Sequence, residues 1–193
     1  PEINKKNLPI STKINDKHEK SLSKPSSPNT FDVTVFGTTG NKNTLLDEVV
    51  QREVINQMNK NASFSIYGGN TDIKDTDIKV PYMKWNSQYG IKDINNLRMI
   101  QLSASKGGIR ATNPEQWKSL QRDLNTDQDH ILVVIDKNPL NPGSFTDSME
   151  AELLHRVLKK AKEEQNKNVF LVSTEGYTTS MKIKEGVRYI NMN

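Results

Sequence analysis

The three histidines, His18, His130 and His155, are the first residues to weigh for chemistry. Imidazole acts as a metal ligand or general base when partners stand at set spacing. None of the three has a second His or a Cys at such spacing, and no His-Glu-x-x-His pair exists, so a histidine-based transition-metal site is not expected. His130 and His155 are expected to be surface or packing residues. The absence of cysteine removes disulfides, thiolate zinc sites and cysteine nucleophiles together. A serine hydrolase would carry its nucleophile on a strained Gly-x-Ser-x-Gly turn, which the chain lacks. Gly37-Thr38-Thr39-Gly40-Asn41-Lys42 occupies the place of a phosphate-cradling loop, between a strand pattern and a helix pattern. A P-loop needs four residues between its glycines and Lys directly after the second; here two intervene and Asn41 follows Gly40, which leaves a glycine turn at a strand end.

The elements that would position such residues alternate between strand and helix. Residues 32–36 alternate and are rich in β-formers. Residues 44–59 read as a helix, with Leu46, Val50, Val54 and Met58 four apart and Leu45, Val49 and Ile55 widening the inward stripe; Thr44 and Asp47 have capping-box spacing. Residues 62–67 are a strand that exits through Gly68, Gly69 and Asn70. Residues 70–96, rich in Asp, Asn and Lys, read as a long surface excursion, the kind of loop that often carries function. A strand follows at 97–103. Asn113-Pro114-Glu115-Gln116 then starts a helix, with Asn113 as cap and with Trp117, Leu120 and Leu124 on one face. Residues 130–135 form a fully apolar strand, suited to the centre of a covered sheet. A helix over 147–165 turns Leu153, Leu154, Val157, Leu158 and Ala161 inward, a buried strand runs over 169–173, and 180–184 with 187–192 close as a hairpin through Glu185 and Gly186. This alternation predicts a layered α/β domain.

The chain has 193 residues, 33% of them hydrophobic, with 27 Lys plus Arg against 23 Asp plus Glu. Six lysines against three carboxylates put +3 of the net +4 into the first thirty residues. The rest is nearly neutral and lacks the basic stripe that binding a phosphate backbone demands, so nucleic acid is not an expected partner. The longest aliphatic run, Ile131 to Ile135, is far below the roughly 20 residues of a bilayer span, and membrane insertion is not expected. The N-terminus shows no apolar signal-peptide core. Residues 1–30, dominated by Asn, Lys, Ser and Pro without apolar period, read as a disordered linker, and residues 31–193 as the domain it precedes. A Lys/Ser/Pro linker running into a strand suggests a fragment of a larger protein.

The text at the strand ends carries a resemblance. Phe36-Gly37-Thr38-Thr39, Tyr67-Gly68-Gly69-Asn70-Thr71-Asp72, Lys106-Gly107-Gly108-Ile109-Arg110, Gln116-Trp117-Lys118-Ser119-Leu120, Val133-Val134-Ile135-Asp136 and Thr174-Glu175-Gly176-Tyr177-Thr178-Thr179 follow one another between the elements above. In this order the chain resembles a calcineurin-like metallophosphoesterase domain of the purple-acid-phosphatase-like branch, over about residues 31–193. The resemblance implies an α/β fold, a sandwich of mixed β-sheets flanked by helices, and a dinuclear metal centre at the strand ends that activates water and clamps phosphate oxygens.

Carried over residue by residue, that centre has lost its ligands. The first-strand Asp falls on Thr38 and the Asp of the Gly-Asp motif on Gly69, with only Asp72 following. The Asn-His motif has no counterpart, the later His falls on Asp136, and the Gly-His-x-His motif reads Gly176-Tyr177-Thr178-Thr179. Neither Gly nor Thr supplies the charge that holds a metal pair. The expected function is therefore a pseudoenzyme without cofactor or metal: a non-catalytic module of a larger, secreted or cell-envelope protein, extracellular or cell-wall associated. Its vestigial site is lined by Thr38, Gly69, Asp72, Asp136, Glu175, Tyr177 and Thr179, and its partner is a neighbouring domain of the same polypeptide or a cell-envelope protein. The competing expectation is a phosphoester hydrolase with a reduced site in which Asp72, Asp136 and Glu175 gather one hard cation.

Overall fold

The computed structural model describes residues 32–36, 45–68, 73–175 and 179–192. The linker expected over 1–30 lies outside them, as does Thr44, the expected cap of the first helix.

Two sheets carry the fold. The smaller is parallel, in the order β1 (Val33–Phe36), β2 (Phe64–Gly68), β3 (Tyr82–Trp85). Helix α1 (Leu45–Asn61) makes the crossover from β1 to β2. The larger has six strands: β4 (Gly90–Ile94), β5 (Leu97–Gln101), β6 (His130–Lys137) and β7 (Asn168–Glu175), then β9 (Val187–Asn191) and, at the far edge, β8 (Ser180–Lys184). β5, β6, β7 and β9 run parallel, whereas the outer strands β4 and β8 are antiparallel to their neighbours. The crossovers are α2 (Ile109–Thr112) with α3 (Glu115–Asp123), and α4 (Ser148–Glu164).

Strand alternation sorts the side chains into layers. Phe64, Ile66 and Trp85 of the small sheet meet Leu97, Met99, Leu132, Val134 and Val172 of the large one, with Val33, Val35, Met83 and Ile190 around them. The opposite face of the large sheet, including Ile100, Ile131, Val133, Ile135, Leu171 and Tyr189, packs under Leu120 and Leu124 of the α3 segment and Leu154, Leu158 and Ala161 of α4. On the outside of the small sheet, Met58 packs with Tyr67, Ile73 and Ile78. Helix, sheet, sheet and helix thus stack in sequence, with strands paired face to face in the middle.

Three expectations change. The excursion over 70–96 contains a short 3-10 turn at Asp75–Asp77 and the strands β3 and β4, so its apolar residues are structural: Trp85 is buried in the sheet-to-sheet core. The stripe on α1 is inward only in its second half. Met58 is buried, and Val54 and Ile55 pack beside it, but Leu45, Leu46, Val49 and Val50 are exposed, at 82%, 69%, 53% and 53%. Periodicity reports that a helix face is apolar; here the layer beneath it reaches only the last turns. Leu153, expected inward on α4, is also exposed, because the neighbouring rows of Leu154, Leu158 and Ala161 take the sheet.

Candidate functional site

Open α/β sheets generally place their sites at the C-terminal ends of the parallel strands, and β6 and β7 carry Asp136 and Glu175 there. Thr38, Gly69, Asp72 and Tyr177 lie outside the described residues, which leaves Asp136, Glu175 and Thr179 to locate.

Asp136 stands at the end of β6, the central and most apolar strand, and its residue is fully buried. One carboxylate oxygen accepts the backbone N–H of Ala104 at 2.6 Å and that of Lys137 at 3.0 Å. The other accepts the hydroxyl of Ser103 at 2.9 Å. A buried carboxylate needs this many donors, since an unpaired charge out of water is costly. The strand end opposite is held in turn by Gln116: its Oε1 accepts from the Ser103 backbone N–H at 2.8 Å and its Nε2 donates to the Ser103 carbonyl at 3.0 Å. Gln116 and Asp136 therefore clamp the chain as it leaves β5, from both sides of Ser103.

Glu175 does not join them. The β6–β7 register pairs it with Lys137, so strand alternation sends it to the face opposite Asp136, and it is exposed. Thr179 is exposed, just before β8. The expected convergence of Asp136 and Glu175 is thus replaced by a single carboxylate enclosed by Ser103, Ala104 and Lys137. Lys137 contributes its amide to that enclosure. Among the described residues, no three or more His, Cys, Asp or Glu side chains gather into a set that could hold a metal ion. Donors occupy three of the roughly four acceptor positions of Asp136 and no ligand set surrounds it among the described residues, so this part of the chain does not fit the dinuclear centre that the resemblance implies.

Beside the clamp, the glycines of the Lys106-Gly107-Gly108-Ile109-Arg110 segment allow a close approach. Gly107 has φ +87°, and a Cβ there would stand 2.3 Å from Thr146 Oγ1; a Cβ on Gly108 would stand 2.2 Å from Glu150 Oε2. Glu150, buried in the first turn of α4, uses that space to accept the Arg110 backbone N–H at 2.7 Å and the Trp117 indole N–H at 2.9 Å. Trp117 is half-buried, while Leu120 and Leu124 on the same face are buried. Asp147 caps the helix, accepting from the amides of Met149 and Glu150, and pairs with Arg110 at 3.0 Å.

Two polar clusters tie the sheet edges to the helices. Tyr89 Oη donates to Asp123 at 2.6 Å, and burial together with that carboxylate raises the phenol's pKa far above its usual value. Arg122, hydrogen-bonded to Asp123, and then Tyr89 hold the Asp123 carboxyl below the usual range. At the other edge His155, buried on α4, bonds Tyr189 Oη through Nδ1 and Glu185 through Nε2, each at 2.7 Å. Lys159 also binds Glu185, and these two hydrogen bonds bring the Glu185 carboxyl down to about 2. The expectation of a packing role for His155 fits this place, with a polar partner on each ring nitrogen that sequence spacing gave no sign of.

No protein-family model matches the chain, and no curated protein matches it in sequence. The fold is that of an α/β domain with one parallel and one mixed sheet flanked by helices, and no helix among the described residues is long and apolar enough to cross a membrane.

Proposed function

We propose that the domain is a non-catalytic, metallophosphoesterase-like module of a larger secreted or cell-envelope protein, which binds a neighbouring domain or a cell-envelope partner. The observation that carries this reading is the state of Asp136. In a hydrolase of the implied class the residue at the end of this strand faces solvent and a metal. Here it is sealed from water and spends its oxygens on Ser103, Ala104 and Lys137. A carboxylate so engaged holds the backbone of the β5 exit in place and is buried away from substrate. The layering of helix, sheet, sheet and helix supports the sandwich that the resemblance implies, and Thr38, Gly69, Tyr177 and Thr179 at the ligand positions supply no charge for phosphoryl chemistry, which depends on a large electrostatic term.

The test is turnover of phosphomonoester and phosphodiester substrates by the purified chain with Mn²⁺, Zn²⁺, Fe²⁺ or Mg²⁺ added. No metal-dependent hydrolysis is expected. Turnover that persists through removal of contaminating phosphatases and disappears in Asp136→Asn would establish the reduced-site hydrolase instead.

A further inference from the structure

The outermost strand of the large sheet, β8, has the features of a receiving edge. Its residues Ser180 to Ile183 are exposed, among the described residues it pairs only with β9, and it carries no proline or bulge, its protection resting on Lys182 and Lys184. Lysines on an edge turn away a like-charged strand but leave the edge open to a strand of opposite charge. The edge is also held rigid: Glu185 in its turn is fixed to His155 and Lys159 of α4, and Lys184 pairs with Glu152 at 3.0 Å.

The two faces of the edge differ in chemistry. Met181 and Ile183, 67% and 59% exposed, share a face with Ile190 and Arg188, their register partners on β9. Lys182 and Lys184 point to the other face, beside Tyr189 and Val187. On that second face a cavity of about 350 Å³ opens between the edge and the start of α4, lined by Leu140, Phe145 and Ala151 together with Glu152, Lys182 and Lys184. Glu152 is committed to Lys184, and Lys182 has no ion pair among the described residues.

We propose that β8 is a strand-addition site for an extended, acidic segment of a partner protein. The segment lies along Ser180–Lys184, covers Met181 and Ile183 with apolar residues on one face, and directs carboxylates on the other toward Lys182 and the mouth of the cavity. Charge selects this occupant. A second copy laying its own β8 antiparallel along the whole of Ser180–Lys184 would set Lys182 against Lys182, and directly opposed like charges destabilise a strand pair. The proposal deepens the reading of the domain as a binding module by naming the surface and the chemistry of its ligand.

The experiment is an amide-shift titration of the isotope-labelled 193-residue chain with a short, end-blocked peptide of alternating Glu and Val. Shift changes are expected along 180–184 and at the cavity wall around Leu140, Phe145 and Ala151. Binding should weaken by about tenfold in Lys182→Glu and in Met181→Glu, and should fall as salt rises. The matched Lys/Val peptide should not bind. Equal binding of the basic peptide, unchanged binding in both variants, shifts elsewhere or none at millimolar peptide would overturn the proposal. So would concentration-dependent self-association through 180–184, or saturable binding of an oligothymidylate there. Failure here leaves the absence of hydrolysis standing, and detection of hydrolysis would sink the non-catalytic reading without touching this edge.

Discussion

Replacing Asp136 by Ala removes the acceptor of three buried donors at once: the Ser103 hydroxyl and the amides of Ala104 and Lys137. A hydrogen bond to a charged group contributes about 1.5–3 kcal/mol, and a buried donor left without a partner costs about 1–3 kcal/mol. The three share one acceptor and are not additive, and a water entering the vacated space can satisfy part of the loss. A cost of about 3–5 kcal/mol is expected, large against a typical total of about 5–15 kcal/mol. Asp136→Asn keeps the shape. Its oxygen still accepts the two amides, and its NH₂ donates to a Ser103 hydroxyl that reorients, for a cost of about 1–2 kcal/mol. Urea unfolding of the parent and both variants, with unchanged slope, measures the difference. The same titrations in millimolar Ca²⁺ or Mg²⁺ should give the same midpoints, because the carboxylate is buried and already engaged by three donors. A site of about 10 μM affinity at 100-fold saturation would add about 2.7 kcal/mol. An Ala variant costing under about 1 kcal/mol, or a cation-induced rise that vanishes in Asp136→Asn, would refute the assignment of Asp136 as a structural clamp.

Trp117→Ala should destabilise by about 2–4 kcal/mol, since the indole is half-buried and anchors Glu150, and Trp117→Phe, which removes the hydrogen bond and part of the ring, by about 1–2 kcal/mol in the same unfolding assay. Glu185 titrates near 2 when folded, against an ordinary 4.5, so its contribution to stability is complete above about pH 4.5 and is lost as pH falls toward 2; the Glu185→Gln variant should show a flatter fall in melting temperature across that window, and parallel curves for the two proteins would contradict the assignment. Gly108→Ala should push Glu150 aside and release both its donors, costing about 2 kcal/mol or more, whereas Gly143→Ala, whose Cβ would meet nothing within 4 Å, should cost only the roughly 1–2 kcal/mol of its left-handed backbone.

Sequence pattern was most informative where elements are long and buried. The apolar run of β6 and the inward rows of α4 announced the centre of the large sheet. β3 and β4 were hidden for opposite reasons. β3 is four residues following Pro81, too short for its alternation of Met83 and Trp85 to register as a period, and β4 is an edge strand with three consecutive exposed residues. Asp136 was legible as a carboxylate at a strand end, but its use was not: its partners Ser103 and Ala104 come from a different strand exit and meet it only through the β5–β6 register. The same limit governs Glu175, whose direction depends on which residue of β6 it faces, a fact that no local pattern encodes. Gln116 stood in the Gln-Trp-x-x-Leu helix, yet nothing in its spacing pointed to the main chain of Ser103 as its partner.

The six-stranded sheet joins two kinds of strand contact that differ in how far the chain must travel to make them. At its two margins Ile94 meets Leu97 and Lys184 meets Val187, neighbours that find each other across tight turns. In its interior Leu97 meets His130 and His130 meets Asn168, contacts that cannot form until whole helical connections have been gathered in. Hairpins close within about 1–10 μs, whereas pairings between distant segments must first overcome the entropy of closing long loops. The margins can therefore take shape early and independently, with the parallel interior assembling between them as the slow step. Substitutions that loosen the Glu185–Gly186 turn should act early in refolding, and those that empty the β6 core should act on the committed, late step, so that the order of events is written from the edges inward.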